Sequence, residues 1–177
     1  DRVQFFVNGR YSGTLHRNDV PGKKFFFKAS EGEYLDFLVE NCGRLRNTIS
    51  ELQHDCKGLG RVINGNNCEL LNCLCYPLPL EDLSALPFRS SENFTTNEPA
   101  FYRGYMEVDE TADTFLRIPA GTRGVVWING FNLGRYYNTV GPQKTLYVPA
   151  PMLREGDNEI IVFETDGCDT NVITFVD

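Results

Sequence analysis

The chain consists mainly of short apolar runs of β type, and this pattern restricts its fold more than any other feature. The runs are rich in Val, Ile, Phe and Tyr and are separated by clusters of Gly, Pro and Asn, as is typical of strands joined by turns. The predicted strands are Val3–Val7, Lys24–Lys28, Tyr34–Glu40, Arg61–Ile63, Phe101–Val108, Thr114–Ile118, Val125–Ile128, Thr145–Val148, Glu159–Glu164 and Val172–Phe175. No segment keeps a helical apolar period, so helix is expected only as short turns at Leu80–Leu86 and Pro151–Arg154. The sequence therefore predicts an all-β chain of sandwich or barrel type.

Length and charge restrict the class of protein further. The 177 residues, 41% of them hydrophobic, are typical of one or two packed domains rather than of a disordered or collagen-like chain. A net charge of −7 removes the attraction that nucleic acid or an anionic membrane would need, so neither is an expected partner. No apolar run approaches a membrane span. Asp1 is followed at once by strand-like sequence, as expected of a mature or excised chain.

The chain contains a weak internal repeat. The string RVQFFVNG at 2–9 aligns with GVVWING at 124–130, and Asn8 and Asn129 lie 121 positions apart, as do Gly13 and Gly134. Asn-Gly tolerates positive φ at both positions and so closes a tight hairpin. A second pair of similar strings, at 34–41 and 158–164, follows the two hairpins. The repeat predicts two related sandwiches in tandem.

Proline marks the boundary between the two copies. Four of the nine prolines lie between residues 76 and 99, in a polar stretch that reads as a linker. The predicted organisation is a first, partial β-sandwich over 1–75, a proline-containing linker over 76–98 and a second β-sandwich over 99–177.

Six cysteines and a glycosylation signal favour an extracellular, secreted or lysosomal location. Asn93 begins the N-glycosylation acceptor Asn-Phe-Thr. The cysteines are all disulfide candidates, and their pairing stays open, as does the alternative of buried thiols: Cys42, Cys56, Cys68, Cys73, Cys75 and Cys168. Their spacing fits a zinc site poorly, and neither histidine lies at a zinc-ligand spacing from them, so no metal is expected.

Two strings in the second half are specific enough to indicate a family. VWINGFNLGRY at 126–136 and GPQKTLYVP at 141–149 closely resemble the C-terminal β-sandwich of the glycoside hydrolase family 35 β-galactosidases. LVENCGR at 38–44 and KGL at 57–59 resemble the preceding sandwich of the same enzymes, and the closing ITFVD is similar to the end of the animal lysosomal members. The resemblance implies two tandem galactose-binding-like jelly-roll sandwiches, the first of them incomplete.

The same resemblance implies that the chain is not catalytic. In this family a (β/α)8 barrel precedes the sandwiches and carries two catalytic glutamates. A chain of 177 residues has no room for a barrel of roughly 250 residues, and no closely spaced carboxylate pair is recognisable. Two departures from active relatives are present. Gly43-Arg44 continues as Leu45-Arg46-Asn47-Thr48, without the tyrosine that reaches the sugar pocket, and Tyr137 stands where relatives usually have tryptophan.

Candidates for carbohydrate binding cluster around the Gly134 turn. Sugar recognition combines an aromatic ring with amide or guanidinium donors to hydroxyl groups. The residues that offer this chemistry are Trp127, Asn132, Arg135, Tyr136 and Tyr137. The competing interpretation assigns the string to hairpin and core, and the position of Trp127 in an apolar strand favours the core.

Three further groups have simpler structural interpretations. The Asn-Gly pairs at 8–9 and 129–130 are turn residues. His54-Asp55-Cys56 places a base beside a thiol, but residues two apart rarely reach catalytic geometry, and a disulfide is favoured for Cys56. The acidic group around Asp109, Glu110 and Asp113 lacks a calcium-loop pattern and fits a solvated turn, although a structural calcium stays an alternative.

These observations predict a non-catalytic module without cofactor or metal, derived from β-galactosidase sandwiches. Its expected role is lectin-like carbohydrate binding or protein interaction, with galactosides or glycoprotein glycans as ligands. One alternative is the C-terminal chain of a processed β-galactosidase, which supports a catalytic barrel on another polypeptide. A second alternative is a structural or decoy protein without sugar binding.

Overall fold

A computed structural model of the chain describes residues 1–17, 19, 28–43, 48–54, 57–59, 69–90, 96–168 and 172–176. Within these ranges it contains ten strands, one six-residue α-helix and one short 3-10 helix, so the predicted all-β class is confirmed. The chain divides into two compact units, Asp1–Tyr76 and Pro77–Asp177.

Three antiparallel strands form the described sheet of the first unit. Strand β1 (Arg2–Val7) is central, with β2 (Arg10–His16) on one side and β3 (Leu35–Glu40) on the other. Helix α1 (Ile49–His54) is not predicted by the sequence, because six residues make less than two turns and show no readable apolar period. The strand predicted at 61–63 and most of the strand predicted at 24–28 lie outside the described residues.

The described strands of the second unit form two antiparallel sheets. They are β4 (Ala100–Val108), β5 (Thr114–Arg117), β6 (Arg123–Ile128), β7 (Phe131–Tyr137), β8 (Thr145–Val148), β9 (Gly156–Glu164) and β10 (Thr174–Val176). The larger sheet has the order β4-β9-β6-β7, and the smaller has the order β10-β5-β8. The helical turn predicted at 151–154 overlaps the 3-10 helix Ala150–Met152, whereas the segment predicted at 80–86 has a turn at 84–85 and no helix.

The main core of the second unit lies between its two sheets. Buried residues from both sheets meet there: Leu116, Ile118, Val126, Ile128, Tyr136, Val148, Ile160 and Val162. Strands β6 and β9 contribute alternate residues, because successive side chains along a strand point to opposite faces of the sheet. The second unit is therefore a sandwich of two sheets around one apolar layer.

The opposite face of the four-stranded sheet carries a second apolar layer. Trp127 and Ile161 are buried on this face together with Leu83, and Leu80, Leu86 and Phe88 belong to or adjoin the same cluster. Segment 80–88 falls within the predicted linker 76–98, so part of that segment covers the sheet of the second unit. The limits 1–75, 76–98 and 99–177 stay a prediction.

The two units close their hairpins with the same turn. The φ angles are 50° and 72° at Asn8-Gly9, and 50° and 81° at Asn129-Gly130, as a tight hairpin turn requires. Each asparagine side chain also bonds to a later segment of its unit, which is the residue directly before β3 for Asn8 and a residue of β9 for Asn129. Asn8 Oδ1 accepts the backbone N–H of Tyr34 at 3.0 Å, and Asn129 Oδ1 accepts that of Glu159 at 3.1 Å.

The two hairpins also share a bulge and a pairing order. Gly13 lies opposite Phe5 in the first unit and Gly134 lies opposite Val126 in the second, each beside an irregularity that adds one residue to the returning strand. On their other sides, β1 pairs with β3, and β6 pairs with β9. The sequence repeat is thus also a repeat of backbone structure.

Asn129 makes further bonds through its amide group, and their loss should be measurable. Its Nδ2 donates to the Met152 carbonyl oxygen at 3.0 Å and to Asn158 Oδ1 at 2.8 Å. Asn129→Gly keeps the positive φ and removes the side-chain bonds, so we expect the free energy of unfolding to fall by about 1–2 kcal/mol. Urea denaturation measures this change. Asn132→Ala, at an exposed asparagine of β7, is the control and should cost less than about 0.5 kcal/mol; equal losses would contradict the prediction.

Candidate functional site

The five predicted carbohydrate-binding residues lie on two faces of the four-stranded sheet. Trp127 in β6 lies opposite Asn132 in β7, and Arg123 lies opposite Tyr137. From the register and the strand alternation, Asn132, Arg135 and Tyr137 share the outer face with Trp127. Tyr136 points the other way, into the layer between the sheets. The structure therefore brings four of the five candidates to one face and separates the fifth.

Trp127 is part of the core. Its side chain is only 2% exposed and packs in the cluster of Leu83 and Ile161, with its ring centroid 6.5 Å from that of Phe101. A ring covered in this way offers no open face to a sugar. Burial of a large aromatic side chain stabilises a fold by about 1.5–3 kcal/mol, and this role favours the core interpretation of Trp127 over the sugar-binding one.

Tyr136 belongs to a buried polar network centred on Glu164. The tyrosine is 7% exposed, and its hydroxyl donates to Glu164 Oε2 at 2.6 Å. The backbone N–H of Thr122 donates to the same oxygen at 2.8 Å. Glu164 Oε1 accepts from the backbone N–H groups of Arg123 at 3.2 Å and Asp166 at 2.9 Å. One carboxylate thus binds the loop before β6, strand β7 and the turn after β9.

Burial sets the protonation properties of this network. It raises the pKa of the Glu164 carboxyl above its ordinary value, and the hydrogen bonds that the carboxylate accepts oppose that rise. Burial, followed by the charge of Glu164, raises the pKa of Tyr136, so its hydroxyl stays a proton donor at any physiological pH. The network therefore has a structural role, and Tyr136 lacks the exposure that sugar binding needs.

Sequence reasoning did not identify Glu164 as a site of interest. The available signal is a glutamate that directly follows the apolar run Ile160–Phe163 in a strand buried on both faces. Its partners Thr122 and Tyr136 lie 42 and 28 positions away in the sequence, so only the fold brings them together.

The remaining candidates are exposed on the outer face. Asn132, Arg135 and Tyr137 lie on β7, the edge strand of the sheet, and Tyr137 is 39% exposed. The guanidinium carbon of Arg123 lies 4.3 Å from the centre of the Tyr137 ring, and Arg123 Nε lies 3.9 Å from a carboxylate oxygen of Asp166. Arg123 therefore fixes the tyrosine ring and covers one of its two faces.

The cysteine and glycosylation predictions fall partly outside the described residues. Cys42, Cys73 and Cys75 are exposed, Cys168 is buried, and no two of these four are joined in a disulfide. Cys56, Cys68 and Asn93 lie outside the described ranges, as do Arg44–Asn47 and Asp55. The disulfides and the glycan at Asn93 stay predictions.

Asp113, one of the acidic residues considered as a calcium ligand, serves a turn. Its carboxylate accepts the Tyr147 hydroxyl at 2.7 Å and the Ala150 backbone N–H at 2.8 Å. Across the described part of the chain, no three His, Cys, Asp or Glu side chains are grouped so that they could hold a metal ion. No helix of that part is long and apolar enough to cross a membrane.

Comparisons with known proteins match both units. Residues 1–79 match the family model "Beta-galactosidase, first all-beta domain", and residues 99–158 match "Beta-galactosidase, galactose-binding domain". Beta-galactosidase-1-like protein 3 of Rattus norvegicus is 38% identical over 174 residues, covering 93% of this chain and 26% of the relative. Beta-galactosidase of Mus musculus is 37% identical over 94% of this chain, and that of Homo sapiens is 36% identical over 100% of it.

The chain spans only 26–30% of the length of these relatives. The two matching family models both describe β domains, and neither describes a catalytic barrel. The matches confirm the resemblance that the VWINGFNLGRY and LVENCGR strings indicate. Through both of its units, this chain belongs to the β-galactosidase family, within the region of its first all-beta domain and its galactose-binding domain.

Proposed function

We propose that this chain is the non-catalytic β-domain part of a β-galactosidase-type protein and supports a catalytic domain that acts on terminal galactosides. The observation that carries the proposal is the structural role of the string VWINGFNLGRY at 126–136, which resembles the family. Trp127 and Tyr136, two aromatic residues of VWINGFNLGRY, are 2% and 7% exposed and hold the second unit together. Aromatic residues that are buried in this way support a scaffold role more than a ligand-contacting one.

The carboxylates of the chain support the same proposal. A retaining glycosidase needs two carboxyl groups about 5 Å apart, open to the substrate. Among the described residues, Glu164 is the buried carboxylate, and two N–H or O–H donors occupy each of its oxygens. This carboxylate is committed to the fold and is not open to a substrate, which supports a structural role for it.

An extracellular or lysosomal location is part of the proposal. The acidic composition, the six cysteines and the acceptor at Asn93 support it. The expected partners are a catalytic barrel and galactosides or the glycans of glycoproteins.

Enrichment of the native protein tests the proposal. Antibodies against this chain should enrich, from its source, material that hydrolyses 4-nitrophenyl β-D-galactoside, and mass spectrometry should find a barrel in the same polypeptide or complex. The 177-residue chain expressed alone should not hydrolyse the substrate. Hydrolysis by the isolated chain, or enriched native material without such activity, would overturn the proposal.

A second candidate function is carbohydrate binding on the outer face of β7. It is favoured by the exposure of Asn132, Arg135 and Tyr137 on one sheet face, with the Tyr137 ring held by Arg123. The galactose-binding description of the matched family model supports the same ligand class. A glycan array would test it, and a flat response to every glycan would leave the protein-interaction and decoy roles.

A further inference from the structure

The outer face of the three-stranded sheet presents two ordered rows of side chains. In the register, Phe115 of β5 lies between Val176 of β10 and Tyr147 of β8. Two positions further along β5, Arg117 lies between Thr174 and Thr145. Their neighbours in the strands, Leu116, Val148 and Phe175, pack into the core, so both rows point away from it. An apolar row and a polar row thus run side by side across the sheet.

The three side chains of the apolar row are exposed to solvent and are not packed in a core. Phe115 is 37% exposed, Tyr147 is 47% exposed and Val176 is 39% exposed. The ring centroids of Phe115 and Tyr147 are 5.5 Å apart, and the two rings are inclined to each other by 53°, so they form one continuous aromatic surface. Contiguous exposed apolar side chains of this kind mark binding surfaces more often than isolated ones do.

The rim of this surface is held in place by hydrogen bonds. The Tyr147 hydroxyl donates to Asp113, whose other carboxylate oxygen accepts the Ala150 backbone N–H. These bonds lower the pKa of the Asp113 carboxyl below its ordinary value, so the acceptor stays ionised in mildly acidic solution. The Thr114 hydroxyl donates to the Val176 carbonyl oxygen at 3.0 Å and ties β10 to β5. These hydrogen bonds hold the Tyr147 ring in one orientation, so no ligand is needed to order it.

We propose that this face binds a neutral pyranoside, with Phe115 and Tyr147 against the C–H face of the sugar ring and Arg117 bonded to its hydroxyls. A sugar-binding site needs both an apolar surface and hydrogen-bonding groups, because one side of the sugar ring is apolar and its edge carries donors and acceptors. The hydroxyls of Thr145 and Thr174 flank the guanidinium and can both donate and accept. Among the described residues of these three strands and their rim, the charges of Arg117 and Asp113 offset each other, which suits an uncharged ligand better than an anionic one.

This site is distinct from the β7 face and does not depend on the proposed support of a catalytic domain. It lies on the other sheet of the second unit and contains no residue of the string at 126–136, although Thr145 and Tyr147 belong to the family-like string at 141–149.

Titration of the full chain with lactose and with methyl β-D-galactopyranoside, followed by NMR, tests the proposal. We expect saturable shifts at the amides of residues 115, 117, 145 and 147. Tyr147→Ala and Phe115→Ala should each weaken binding about tenfold. Tyr147→Phe keeps the ring, so it should stay within about threefold of the wild type and separates ring contact from loss of folding.

An exposed tyrosine in β4, on the other sheet, serves as the matched control. Tyr105→Ala removes a side chain that is 63% exposed and should not change the affinity for lactose. The proposal is overturned if neither sugar shifts the named amides, or if Tyr137→Ala weakens binding while Tyr147→Ala does not. It is also overturned if the chain sediments as a dimer that Tyr147→Ala converts to a monomer, because a second copy of the chain then covers this face.

Discussion

Gly124→Ala is expected to lower the free energy of unfolding of the second unit by about 3–5 kcal/mol. A Cβ at this position would lie 2.0 Å from the Phe163 carbonyl oxygen and 2.8 Å from the Tyr136 hydroxyl, both far inside van der Waals contact. Gly124 lies on β6, between Tyr136 of β7 and Glu164 of β9. Because the closest atom is backbone, a side-chain rotation cannot relieve the clash, and β6 and β9 would have to separate.

Urea denaturation followed by tryptophan fluorescence measures this loss. Trp127 is the single tryptophan of the chain and is buried in the second unit, so its emission reports on that unit. Gly104→Ala is the matched control. Gly104 lies in β4 of the same sheet, and a Cβ there would have no neighbour within 4 Å, so a change below about 0.5 kcal/mol is expected. A Gly124→Ala variant as stable as the control would contradict the close approach of β6 and β9.

Glu164→Gln is expected to cost about 2–3 kcal/mol at pH 4.5 and to flatten the dependence of stability on pH. The amide places two N–H donors where the protonated carboxyl has one O–H, in a pocket already lined by the donors of Thr122, Arg123 and Asp166. At least one buried N–H group is then left without an acceptor, because the group that faces it is also a donor.

The sign of the pH effect follows from the raised pKa of Glu164. Between the ordinary value of 4.5 and the higher value in the fold, the folded chain keeps a proton that the unfolded chain has lost. The stabilisation from Glu164 is therefore complete below pH 4.5 and declines as the pH rises through the folded pKa. The wild type should lose this part of its stability on going from pH 4 to pH 7, whereas Glu164→Gln should not. Unfolding curves across that range, with the exposed Glu107→Gln as control, measure the difference. Parallel pH profiles of the wild type and Glu164→Gln would count against the raised pKa.

Local sequence chemistry predicts the parts of this fold that depend on near neighbours. The Asn-Gly pairs at 8–9 and 129–130 adopt the expected positive φ angles, and the spacing of 121 corresponds to a shared turn, bulge and strand order. The apolar position of Trp127 indicates the core, where the structure places it. In each of these cases, the residue type allows only a few local conformations or environments.

Features that depend on contacts between residues far apart in the sequence cannot be predicted in this way. The segment 80–88 has the proline content of a linker, yet Leu83 is buried against Trp127 and Ile161. The reason is that these apolar residues on the outer face of the sheet must be shielded from water. The partners of Glu164 come from three separated segments, and no periodicity relates them. The row of Val176, Phe115 and Tyr147 exists only because β10 and β8 both pair with β5.

The buried carboxyl group of Glu164 also bears on how long the protein would last in an acidic, protease-rich compartment. Proteases cleave a folded domain mainly through its transiently opened chain, so the cleavage rate follows the population of the open form when opening is fast. A group that binds a proton more tightly in the folded unit lowers that population as the pH falls. By this route, acidification would slow the turnover of the second unit.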